Sequence, residues 1–153
     1  MSTKGSAMGI TEERIEHQGQ LMALILRGSL PVEERIRFFT PPELSQQLAV
    51  MCHPPGHVIA PHVHLPVSRE VFHTQEVLVL RRGRVRVDFY TEERQLLTRR
   101  ELQAGDILLL VRGGHGFEVS ETLEMIEIKQ GPYVGDRDKE RFSASGVQAS
   151  QEG

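Results

Sequence analysis

The most regular apolar–polar alternation in the chain is RVRVDFY, residues 84–90. There Val85, Val87 and Phe89 fall on one side of an extended backbone, and Arg84, Arg86 and Asp88 on the other. That period of two predicts a strand with one face in a core. EVLVL (76–80) and ILLL (107–110) are apolar on both faces, as strands with neighbours on each side are. Glycine or proline punctuates the pattern about every ten residues. Strands are predicted over 20–27, 36–39, 45–52, 58–64, 75–81, 84–90, 99–102, 106–111, 116–119 and 122–129. Short helical turns are expected near 11–15, 31–35 and 136–142. So many short strands with tight turns predict an all-β fold, a two-layered sandwich or small barrel. A single domain over 10–142 is expected, with small polar ends, 1–9 and 143–153, that fray.

Composition narrows the function classes. Hydrophobic residues make up 39% and charged residues 25% of the 153, which describes a globular chain with enough apolar mass for a core. The formal charge of −3 gives no overall attraction to nucleic acid or anionic membrane. Arg81, Arg82, Arg84 and Arg86 crowd around a predicted hairpin turn at Gly83, but no stacking aromatic is interleaved with them. Glu92, Glu93 and Glu101 are near enough in sequence to neutralise them, so no nucleic-acid partner is expected. No apolar run reaches spanning length, and MSTKGSAMG has no apolar signal region, so a cytoplasmic protein is expected. Cys52 is the single cysteine and cannot form an internal disulfide; its apolar neighbours predict a buried, inert thiol.

The candidate chemistry lies in the histidines and one glutamate. His62 and His64 are two apart, so on a strand they share a face with Cα atoms about 6.6 Å apart, close enough to converge on one ion. Val58 and Ala60 continue that face, which makes it apolar rather than solvated. Glu76 heads the face of Leu78 and Leu80, where a carboxylate needs a cation or another partner unless it reaches solvent at the strand end. His115, in GGHGF, follows the predicted strand 106–111 in a tight glycine turn; it reads as a ligand or as a polar turn residue. His73 is an alternative ligand, though strand phase turns it away from Glu76. His53 and His57 flank a turn and are expected to face solvent. Arg69 is the only cation of the segment between His64 and His73, and a guanidinium there suits a carboxylate or phosphate on a substrate.

These residues resemble the two motifs of the cupin superfamily. Gly56 is followed by five residues and His62-Val63-His64, and Glu76 by six residues and Gly83, as in the first motif. Gly105 and Gly113 match the second. Val111 stands where that motif has proline, His115 arrives one residue early, and Val119 replaces an asparagine. Eleven residues separate His64 from Glu76 where the family has three or four, which a longer loop at a barrel mouth would absorb. The stretches FFTPPELSQQLAVM, TQEVLVLRRGRVRVDFY and IKQGPYVGDRDKERF are also similar to small bacterial cupins without a settled activity, some associated with polysaccharide or sugar biosynthesis.

The resemblance implies a cupin double-stranded β-helix, or jelly-roll barrel. It implies His62, His64, Glu76 and His115 as ligands of a divalent transition metal (Fe, Mn, Ni, Co or Zn). A small polar ligand, a sugar or a carboxylic acid, would bind at that metal. If the protein is an enzyme, a metal-dependent oxygenase or isomerase is expected; which residues would be catalytic is left open. A metal-free sugar-nucleotide isomerase or epimerase and a non-catalytic binding or sensing module are the alternatives. Exposed strand edges that need cover, together with the habits of the family, imply a homodimer.

Overall fold

The structure is a computed structural model that describes residues 11–28 and 36–144. The predicted N-terminal fraying, the helical turn at 31–35 and the tail beyond 144 lie outside the described residues. Ten strands follow in chain order: β1 (Thr11–His17), β2 (Gln20–Arg27), β3 (Ile36–Phe38), β4 (Ala49–Met51), β5 (Glu76–Arg82), β6 (Arg84–Tyr90), β7 (Leu96–Gln103), β8 (Ile107–Leu110), β9 (Gly114–Val119) and β10 (Glu124–Lys129). Among the described residues no α-helix forms; one 3-10 turn, Gly135–Asp138, falls at the edge of the stretch expected to be helical.

The strands build a five-stranded sheet in the order β1-β2-β8-β5-β10, a three-stranded sheet β7-β6-β9 and the two-stranded β3-β4. Every pairing is antiparallel, and no sheet closes on itself. The class expected from the sequence is therefore found, as open packed β-sheets.

The layering follows from side-chain phase. Ile25, Leu78, Leu80 and Leu108 of the large sheet share one buried cluster with Val85, Val87 and Phe89 of β6. Leu24, Leu26 and Leu109 point the other way, into a second cluster with Phe39, Leu44 and Leu48. The large sheet is thus covered on both faces, and this is why β2, β5 and β8 lack alternation. On β6 only Val85, Val87 and Phe89 join the first cluster, while Arg86 and Asp88 of the other face meet charged partners, so it alternates.

Four expectations are corrected. Residues 11–15 form part of β1 and not a helical turn. The helix-favouring Glu and Arg residues are overridden by pairing with β2 across Gln18 (φ 49°) and Gly19 (φ 75°). Arg14 then meets Glu12 and Glu16 at the two-residue spacing of a strand. Residues 58–64 form no strand, since no main-chain partner lies alongside them; the whole connection from β4 to β5 is irregular. Gly83 is not a hairpin turn: β5 pairs with β8 and β10, β6 with β7 and β9, so the chain crosses there from one sheet to the other. With φ at 84°, and Thr122 O only 2.2 Å from where a Cβ would stand, that corner admits glycine alone. Finally, Cys52 is exposed, because the segment beyond β4 leaves the body of the protein.

Three of the four arginines around Gly83 are neutralised, but by partners other than those expected. Arg81 pairs with Glu124, Arg84 with Glu121, and Arg86 with Asp88 and Glu118. Arg99 meets Asp88, and Arg100 meets Glu13. Neighbouring strands and the β9–β10 connection supply most of these acids, which sequence distance could not identify; Asp88 alone is local to Arg86.

Candidate functional site

Glu76 opens β5 and is set by the residue before it. Gln75 is buried: its side-chain oxygen accepts the Gln46 main-chain N–H at 3.1 Å, and its carbonyl accepts from Gln46 Nε2 and from the Gln130 main-chain N–H. That clamp fixes the entry to the strand. Glu76 then takes the inner face with Leu78 and Leu80, as its phase predicts. Antiparallel pairing sets the last residue of β10, Lys129, directly opposite.

His115 comes from the other sheet. It lies opposite Phe89 in β6, on the same inner face. The one-residue shift in the second motif does not turn it away, because Gly113 redirects the chain at φ 77°. A Cβ on Gly113 would stand 2.4 Å from Tyr90 O and 2.5 Å from Met22 Cε, so glycine is required both for the turn and for the close approach.

The two sheets thus bring Glu76 and His115 together, with Oε2 and Nε2 3.5 Å apart. The second oxygen, Oε1, is 3.2 Å from Lys129 Nζ. The carboxylate side chain is 15% exposed, against 31% for His115 and 30% for Lys129. The hydrogen bond from His115 holds the Glu76 carboxyl below its ordinary range, the Lys129 ammonium pulls the same way, and burial opposes both. Lys129 is pushed up, chiefly by its hydrogen bond to Glu76.

A cavity of about 820 Å³ opens over this group, and Phe72, His73, Glu76, Arg112, His115 and Lys129 are among its walls. Arg94, Lys139 and Arg141 also line it, but so do Glu92, Asp138 and Glu140, and Arg94 pairs with Glu140, so the walls carry both signs of charge. On one side Tyr90 meets Phe142 edge-on, with ring centroids 5.1 Å apart.

The remaining sequence candidates stand elsewhere. His62 and His64 are exposed in the irregular connection, their rings edge-on at 5.1 Å, with His62 Nδ1 3.0 Å from Ala60 O. Among the described residues, no three or more His, Cys, Asp or Glu side chains gather as a set able to hold a metal ion. Arg69 is exposed and reaches only Val67 O, at 3.4 Å. His73, despite its phase, lines the cavity, because the chain is irregular up to Glu76. His53 stacks on His57 at 4.2 Å, and both its ring nitrogens are buried without a partner; it does not face solvent as expected.

Lys129 is the residue that sequence reasoning missed. No local signal marks it, because only the register of β5 against β10 sets it opposite Glu76.

As donors for an ion, Glu76 and His115 fit. Two ligands each about 2.1 Å from one ion stand roughly 3.0–3.4 Å apart. Within one chain the pair is not joined by the other two histidines, and Lys129 already balances the carboxylate.

No protein-family model matches the chain, and neither a curated protein nor a solved structure matches it significantly. No helix among the described residues is long and apolar enough to cross a membrane.

The depressed Glu76 carboxyl carries a pH consequence for the metal-free protein. Its stabilising contribution is full above the ordinary carboxyl pKa of about 4.3 and is lost as pH falls through the lower folded-state value. Glu76→Gln is therefore expected to flatten the acid limb of stability over that window. Denaturation midpoints measured against pH in the presence of a chelator check this, and parallel curves for the two proteins would contradict it.

Proposed function

We propose that the chain is a cupin-type jelly roll that binds a small polar molecule in the cavity over Glu76 and His115, with a divalent transition metal held by those two residues. One observation carries the reading. A carboxylate and an imidazole from opposed sheets converge to 3.5 Å at a cavity wall, on a face that is otherwise apolar core. A carboxylate in that position is costly without a cation or a hydrogen-bonding partner. The two opposed antiparallel sheets and the crossing at Gly83 are in keeping with a jelly roll.

Arg112, which has no carboxylate partner among the described residues, would be the counter-charge for an acidic group on the ligand, a carboxylic acid or an acidic sugar. A metal bound here would supply Lewis-acid polarisation of a ligand oxygen. The chain's own groups would orient that ligand: Arg112 by charge, His73 by hydrogen bonding and Phe72 by apolar contact.

A second reading is favoured by Lys129. With its ammonium 3.2 Å from Oε1, Glu76 is already neutralised and His115 is oriented by a carboxylate. That arrangement suits metal-free proton abstraction beside a carbonyl by the imidazole, as in an isomerase or epimerase.

Metal analysis separates the two readings. About one equivalent of transition metal per chain is expected after purification or reconstitution, falling below about a tenth in Glu76→Ala/His115→Ala. Wild-type protein that stays below a tenth with Fe, Mn, Ni, Co and Zn alike would overturn the metal reading and leave the proton-transfer pair.

A further inference from the structure

Residues 52–75, between β4 and β5, are long, irregular and apolar. Residues 58–73 make no main-chain to main-chain hydrogen bond with the described residues. Val58, Ile59, Val63, Leu65, Val67 and Phe72 are each between 53% and 82% exposed. Surface loops are ordinarily polar, and so concentrated a set of exposed apolar side chains marks an interaction surface.

The body of the protein offers a matching gap. Of the four outer edges of the two larger sheets, β1 and β7 are rich in charge and tied to each other where Arg100 pairs with Glu13, and Arg27 of β2 donates to Glu101 O of β7. Charged residues of this kind protect an edge. The β10 edge leaves Ile126 and Ile128 44% and 54% exposed, but the β9 edge also carries the cavity histidine His115. Phe117 and Val119 lie opposite Val87 and Val85, on the face that elsewhere is core, yet they are 39% and 55% exposed. The sandwich is open beside β9, at an edge whose outward main-chain groups have no strand to pair with among the described residues.

We propose that residues 57–64 of one copy add as an antiparallel strand to the β9 edge of a second copy, reciprocally in a two-fold dimer. Side-chain matching sets the register: Val58 opposite Val119, Ala60 opposite Phe117 and His62 opposite His115. Apolar residues then cover the open core face, and the histidine pair arrives at the end where the cavity lies. A stable interface buries about 800 Å² per partner, an area within reach of two exchanged arms of this length and apolarity. The two-fold arrangement uses the same surfaces on both copies and leaves neither arm uncovered. The strand exchange stands without any metal. Its consequence, that His62 and His64 of one subunit complete the Glu76–His115 site of the other, rests on the metal reading above.

Two experiments test the exchange. In a Cys52→Ser background, Val58→Cys with Val119→Cys is expected to oxidise to a covalent dimer on a non-reducing gel, and light scattering of the wild type is expected to give the dimer mass. A disulfide confined within one chain would show the arm folding back on its own β9 edge and overturn the proposal, as would a wild-type monomer at micromolar concentration. For the shared site, a heterodimer is purified through two tags from His62→Ala/His64→Ala and Glu76→Ala/His115→Ala chains. Half the Co(II) of the wild-type dimer is expected in it, and none in either variant alone. Wild-type Co(II) in His62→Ala/His64→Ala alone would show that Glu76 and His115 hold the ion unaided and overturn the shared site. A heterodimer without Co(II), beside a wild type that binds it, overturns the shared site. A wild type that binds none refutes the metal reading and leaves the cross-link to decide the exchange.

Discussion

Phe89→Ala is expected to cost about 3–5 kcal/mol of folding stability, the range for removing a fully buried aromatic side chain. The ring is 2% exposed and among the largest fully buried side chains. It sits on the central strand of the small sheet, with Thr98 on one side and His115 on the other, in the cluster that joins this sheet to β2, β5 and β8. Its loss empties the layer that holds the two sheets together, and His115 loses its neighbour on the inner face. Total stability for a domain of this size is about 5–15 kcal/mol, so the variant should stand near the edge of folding. The chain has no tryptophan, so the transition is best followed by far-ultraviolet circular dichroism in urea. A lower midpoint with an unchanged slope is expected. Phe38, 59% exposed, is the control: Phe38→Ala should change stability by less than about 0.5 kcal/mol. A cost below about 1 kcal/mol for Phe89→Ala would mean that the two sheets are not packed through this ring.

The strands that could be read directly are those whose local pattern and tertiary role agree. β2 is found at the bounds its apolar run predicts, and β6 at those of its alternation, because each pattern reports how many faces its neighbours cover. β1 was hidden because TEERIEH has helical propensity and only one buried residue, Ile15; its strand character comes from β2. Gly83 announces a turn in any sequence, but whether that turn folds a hairpin or carries the chain to another sheet depends on which strands pair, a non-local fact. The site divides along the same line. Strand phase placed Glu76 on the core face. No local pattern could say that Lys129 would meet it, since the two are joined only by the register of β5 against β10. His62 and His64 show the reverse: a clean two-residue spacing in a segment that has no strand beside it.

Lys129 makes the most discriminating single substitution, because the two functional readings give it opposite signs. If Glu76 and His115 hold a divalent ion, the Lys129 ammonium on Oε1 repels that ion and competes for its ligand. Lys129→Met removes a like charge a few ångströms from the ion, a repulsion on the order of 1–3 kcal/mol at the effective dielectric of a partly buried site. Metal affinity is then expected to rise roughly 10- to 100-fold, since each 1.4 kcal/mol is tenfold. Competition against a chromogenic chelator measures it. If instead His115 works as a metal-free base, Lys129 assists the His115 hydrogen bond in keeping Glu76 ionised and holds a charge at the cavity wall. The same variant would then bind no metal, and its ligand affinity would fall by about tenfold or more. Lys129→Arg keeps the charge and should leave either behaviour near wild type, which separates the charge from the shape of the side chain. Metal affinity that drops in Lys129→Met while Lys129→Arg retains it would contradict the competition, for it would make the ammonium a support of the metal site.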